Sequence, residues 1–157
     1  MEMQVTKNNG KPHVILYKRD NGTSTWMHAD EFFVMHDLSH FALEKTLRYK
    51  TAFMGMLNDG MAVNDFEDRE KRKQIMITQD ASYAESMANL FLTEIFQGEF
   101  ENFNAVSTDA YNTSYKNFPP PVLSHGELKN TRAFLKHLLK QWKDLPSGKT
   151  MSLIFEM

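Results

Sequence analysis

The run from Val34 to Arg48 carries apolar side chains on nearly every side of a helical wheel. Val34, Leu38, Phe41 and Ala42 form one face, and Leu43 and Leu47 flank the arc of ionisable residues from the other side. A helix that is apolar all round is a buried helix, so the chain has to fold around this segment. Inside it lies His36-Asp37-Leu38-Ser39-His40-Phe41-Ala42-Leu43-Glu44, which brings four ionisable groups into the same run. At about 100° per residue, His36, Asp37, His40 and Glu44 fall within roughly a quarter-turn arc. Burying such groups without partners costs several kcal/mol, so the arc is paired internally, bound to a ligand, or set along a cavity.

Two imidazoles one helical turn apart offer two nitrogens to one cation, as in the H-E-x-x-H pattern; the motif here reads H-D-x-x-H. An ion shared by His36 and His40 lies about 3 Å along the axis from each Cα, and Glu44 roughly 9 Å from the ion. Glu44 is therefore placed as a partner of His40 that orients the ring and fixes its tautomer. Asp37 stands where the general base of H-E-x-x-H stands and is the candidate for activating water. A third ligand has to come from elsewhere. His125, just ahead of a later helix, is the first candidate, followed by Glu94 and His28. Glu94 borders the buried face of its own helix and is also placed with Glu44 as a supporting carboxylate. Histidine ligands favour zinc, nickel or iron over magnesium, and such an ion would lower the pKa of bound water for hydrolysis.

Other readings of the arc stay open. Asp37 as a helix N-cap would leave His36 outside the helix and remove the geometry. The histidines as core residues, hydrogen-bonded to Asp37 and Glu44, would form a structural network. The protein would then be a non-catalytic module for a small molecule or a protein, with the aromatic-rich stretch Phe100 to Phe118 as its recognition surface. A stripe facing solvent is the third alternative. Ser39-His40 and Ser124-His125 are sequence neighbours, which diverge by about 100° on a helix and make no nucleophile–base pair. No G-x-S-x-G, P-loop or dinucleotide motif occurs.

The 157 residues fit one domain with an ordinary core. A net charge of −2 weighs against nucleic acid as a partner. The absence of cysteine excludes disulfides and thiolate chemistry. No run is long enough to cross a bilayer, and residues 1–7 lack the apolar core of a secretory signal, so a cytoplasmic setting is expected. Eleven methionines and twelve phenylalanines suit an adaptable core or a greasy pocket.

Along the chain, Met3 to Thr6 reads as a short strand. His13 to Arg19 and Thr23 to His28 read as a hairpin around Asp20-Asn21-Gly22. A helix opens between Asp30 and Asp37. A second, Thr51 to Asn58, stops at Asp59-Gly60. The mixed-charge run Phe66 to Lys73 reads as a solvated face rather than an anion-binding patch. Thr78 to Gln97 is a helix capped by Asp80 or Ser82 and ended by Gly98. Phe100 to Val122 shows no period, closes on Pro119-Pro120-Pro121, and reads as a long loop of the kind that forms lids or pocket walls. Ser124-His125-Gly126-Glu127 is a capping box for a last long helix. Thr150 to Glu156 reads as a closing strand that pairs with the N-terminal strands. The sum is an α+β fold: a small antiparallel sheet from both ends of the chain, with about four helices on one face.

The stretch Trp26 to Gly60 resembles a family of uncharacterised small bacterial proteins. Their pattern is a D-G or N-G hairpin with a following Trp, then H-D-L-x-H-[FY]-x-x-E, then an aromatic-Gly helix ending in Gly. Here these are Asn21-Gly22 with Trp26, His36 to Glu44, and Phe53-Met54-Gly55-Met56-Leu57 with Gly60. The similarity spans roughly the first 60 residues, with Val34-Met35 where relatives often carry a proline. It implies a shared site and no named reaction.

Overall fold

The computed structural model describes residues 1–74 and 77–156. Four strands, β1 (Glu2–Thr6), β2 (His13–Lys18), β3 (Ser24–Ala29) and β4 (Thr150–Ile154), form one sheet in the order β3-β2-β1-β4. Every neighbouring pair is antiparallel, so the C-terminal strand joins the sheet through β1. The β2–β3 turn is closed by Gly22, whose N–H donates to Arg19 O at 3.0 Å and whose φ of 85° suits glycine. Alternation along the strands turns Met3, Val5, Ile15, Tyr17 and Met151 inward.

Among the described residues, six helices and a 3₁₀ turn (Val63–Phe66) complete the fold. They are α1 (Glu31–Leu47), α2 (Phe53–Asn58), α3 (Arg69–Gln74), α4 (Gln79–Gln97), α5 (Phe103–Ser114) and α6 (His125–Asp144). This is the α+β arrangement expected. Four of the helices, α1, α4, α5 and α6, run beyond two turns. Helix α1 packs against both α4 and α6, and an unbroken stretch of it, Asp37 to Glu44, is buried. No helix among the described residues is long and apolar enough to cross a membrane.

Helix α1 opens within the expected range, at Asp30, whose carboxylate accepts from Phe33 N at 2.9 Å, so the alternative of Asp37 as its cap falls. Thr78, not Asp80 or Ser82, caps α4 by accepting from Ala81 N at 3.1 Å. Asp80 instead reaches across to the α1–α2 connection, where its carboxylate accepts from the N–H groups of Lys50 and Thr51. Ser82 donates to Gln79 O or shares a hydrogen bond with the Tyr111 hydroxyl.

The stretch expected to be a long loop holds the twelve-residue α5, capped by Asn102. Its buried stripe is Phe103, Ser107 and Tyr111, and a serine in the middle of the stripe hides the period from a hydrophobicity pattern. The capping box of Ser124 and Glu127 forms as expected. Residues Glu67 to Arg72 are exposed, in keeping with a solvated face; the side chain of Lys73 lies outside the described residues.

Candidate metal centre

Because Asp30 starts α1, His36 lies well inside the helix and the one-turn spacing to His40 holds. The two rings stand 4.7 Å apart between centroids. Helix α4 runs alongside and adds Glu85. One ligand atom from each of His36, His40 and Glu85 lies within 4.8 Å of the others, a set that could hold a metal ion. The burial is graded: His40 is 2 % exposed, His36 17 % and Glu85 51 %, so the group opens toward solvent on the carboxylate side.

His40 is fixed at both nitrogens. Nδ1 lies 2.9 Å from Glu44 Oε1, and Nε2 lies 3.2 Å from Glu85 Oε2. The latter separation is close to the ligand–ligand edge of about 3.3 Å that a tetrahedral ion with bonds of about 2.0–2.1 Å requires. Glu44 has no exposed surface, and its Oε2 accepts from Met54 N at 2.9 Å in the first turn of α2. The carboxylate therefore ties α1 to α2 while it aims the His40 ring, as sequence spacing predicts.

Burial alone pulls the His40 imidazole down. Hydrogen bonds and charge from Glu44 and Glu85 outweigh it, and the pKa is pushed up to about 10. Glu85, hydrogen-bonded to His40, is held down at about 2 despite its partial burial. For Glu44, burial outweighs the pull of His40 and of the Met54 and Phe53 amides, and its pKa is raised. Both members of the His40–Glu44 pair thus hold protons more firmly. The imidazole's direction governs, because two carboxylates face one ring.

Asp37 is not among the grouped residues. It is 5 % exposed, its Oδ2 accepts from the Tyr17 hydroxyl, and its Oδ1 lies 3.5 Å from His36 Nδ1. Burial, then the Asp37 charge, drives the Tyr17 phenol pKa well up, so the phenol stays a donor. Asp37 is therefore a carboxylate beside the His36 ring, at a longer distance than Glu44 keeps from His40, and is itself anchored by a second element, here β2.

His125 is exposed at the start of α6 and is not among the grouped residues; the third position belongs to Glu85. Glu94 is engaged elsewhere. Its Oε1 accepts from Arg132 Nε at 3.0 Å, and its Oε2 from Arg132 Nη2 at 2.5 Å and Phe100 N at 2.8 Å. It also sits nine residues beyond Glu85 on α4, about 13 Å along the axis. His28 is exposed on β3, edge-on to Trp26. Sequence reasoning missed Glu85. A faint signal existed: Ala81, Ser82, Ala84 and Ala88 surround it on α4, and small residues let a neighbouring helix approach closely.

A cleft of about 390 Å³ adjoins the group, lined by the polar residues His40, Glu85, Ser82 and Tyr115 and by Phe53 and Phe66, among others. The fold and the group together define an α+β protein with a helix-borne His/His/Glu cluster, two members of which, His40 and Glu85, line a cleft. No protein-family model matches the chain, and no curated protein or solved structure matches it either.

Proposed function

We propose that this protein binds a divalent transition metal through His36, His40 and Glu85 and uses it for hydrolysis in the adjoining cleft. The observation that carries the reading is the convergence of three ligand atoms within 4.8 Å, two from α1 and one from α4. Glu44 holds the Nδ1 proton of His40, which leaves Nε2 as the ligating atom, the usual arrangement of a carboxylate behind a metal-bound histidine. Asp37 positions His36 and takes no proton from water. Two histidines and a carboxylate suit zinc, nickel or iron, and leave room in the coordination sphere for a water. An ion there would lower the pKa of that water toward neutrality and polarise a carbonyl or phosphoryl oxygen.

The test is the metal content of the purified, untagged protein by mass spectrometry, beside Glu85→Gln and the His36→Ala/His40→Ala double variant. Near-stoichiometric metal that the double variant loses and Glu85→Gln weakens supports the reading. No uptake by the parent, even after incubation with zinc or nickel, refutes it.

One observation favours a second reading. His40 already has a carboxylate partner at each nitrogen, so the cluster is satisfied as a hydrogen-bonded network without an ion. On that reading the protein is a binding module, and His40→Ala lowers its thermal stability equally with and without added metal.

A further inference from the structure

We propose that the cleft takes a small organic carboxylate with an aromatic or alkyl body, its carboxylate held by Arg72. This deepens the metal-centre reading, on which it rests for the fate of the ligand but not for how the ligand is held.

The apolar side of the cleft is formed by Phe53, Met56, Phe66 and Ile77. Phe53 is held edge-on between Tyr17, at 6.1 Å, and Phe66, at 4.9 Å, so this wall is set by packing. Ile77 is 51 % exposed at its border, an apolar side chain that a ligand body would cover.

Most polar groups at the cleft are already engaged. His40 and Glu85 hold each other, and the Ser82 hydroxyl has Gln79 O and the Tyr111 hydroxyl. Two are not. The Arg72 guanidinium has no ion-pair or hydrogen-bond partner among the described residues, and neither does the Tyr115 hydroxyl. Guanidinium is charged at any working pH, and its planar fork matches a carboxylate with two parallel hydrogen bonds. Tyr115 is kept protonated by burial and by the charge of Glu85, so it enters as a hydrogen-bond donor.

One unpaired cation and one neutral donor, beside a carboxylate that is already neutralised, call for a monoanion. A phosphate dianion would leave its second charge without a cation to meet it. The volume is also that of a small-molecule site, in the range of roughly 300–1,000 Å³.

The experiment is isothermal titration of hydrocinnamate, its neutral amide and phenyl phosphate into chelator-treated and zinc-loaded protein. In the chelator-treated parent the carboxylate binds roughly two- to fivefold tighter than the amide, the range expected for an ion pair to an exposed guanidinium. Arg72→Gln abolishes that preference and leaves the circular dichroism spectrum unchanged. Equal affinity for acid and amide in the parent overturns the proposal, as does an Arg72→Gln variant that keeps the preference. Absence of binding at millimolar concentration, or tighter binding of phenyl phosphate than hydrocinnamate, overturns it too. The chelator-treated arm separates the two readings: a carboxylate preference in a protein that takes up no zinc leaves this proposal standing and removes the metal centre. Zinc uptake without the preference does the reverse.

Discussion

Replacing Glu44 by glutamine changes one atom, yet it should weaken metal binding by roughly ten- to a hundredfold, the usual cost of disturbing the group behind a metal-bound histidine. The carboxylate accepts twice, from His40 Nδ1–H and from Met54 N–H, and has nothing to donate. Glutamine has one acceptor and one donor end, so it can satisfy only one of the two donors. If its oxygen takes Met54 N–H, its NH₂ faces His40 Nδ1 and forces the proton onto Nε2, the atom that meets Glu85 and would meet the ion. If its oxygen takes His40, the NH₂ confronts Met54 N–H, and a buried amide goes unpaired at roughly 1–3 kcal/mol. The first outcome costs affinity, the second stability, and loss of the full negative charge costs both. Competition for zinc against a chromophoric chelator, beside urea unfolding of the chelator-treated protein, measures the two. A variant that binds zinc within twofold of the parent and unfolds at the same urea concentration would refute the role of Glu44 in aiming His40 and tying α1 to α2.

The His40 pKa of about 10, against an ordinary 6.5, gives a signed pH dependence. A folded-state pKa above the unfolded one contributes stability that is complete below about 6.5 and lost as pH rises toward 10. Urea midpoints of chelator-treated parent should fall across that window while those of His40→Gln stay flatter, and zinc affinity should rise over the same range as protons cease to compete. Tyr17→Phe leaves a buried Asp37 oxygen without its donor and should cost roughly 1–3 kcal/mol in urea unfolding, with a smaller loss of zinc affinity than Glu44→Gln. His125→Ala should leave zinc affinity within twofold of the parent. Glu94→Gln should do the same while lowering the urea midpoint, because it leaves Arg132 only half paired.

Where the sequence was legible, a local rule and the tertiary structure agreed. The Asn21-Gly22 turn, the alternation of His13 to Lys18 and the Ser124–Glu127 box each specify their element within a few residues, and each forms. Glu44 as the partner of His40 follows from helix rise alone, because both residues belong to one helix. The misses are of another kind. Helix α5 escaped because Ser107 breaks its apolar stripe, and a buried hydroxyl carries no hydropathy signal. Glu85 escaped because which residue of α4 lies opposite His40 is set by how α1 and α4 pack. Chemistry favours His125, since imidazole is the commoner ligand, but α6 carries it to the surface.

The two readings of the cluster compete for one atom. His40 Nε2 can carry a proton shared with Glu85, or it can bind an ion that Glu85 also binds. In the first state the charges balance through the ion pair. In the second, the ion takes the place of the proton and leaves both carboxylates ionised. A buried imidazole between two carboxylates is therefore stable without metal, which explains how the arc can lie on a helix buried on nearly all sides. The same stability sets a threshold, because the ion has to displace the proton that Glu85 and Glu44 hold in place. Glu85→Gln separates the states. It removes the charge that holds that proton, so it lowers the His40 pKa and weakens the network, yet it keeps a neutral oxygen donor at the site. If the cluster is a metal centre, zinc binding by Glu85→Gln is weakened but becomes less dependent on pH near neutrality. If it is only a network, the variant is destabilised and zinc changes neither its unfolding nor its pH dependence.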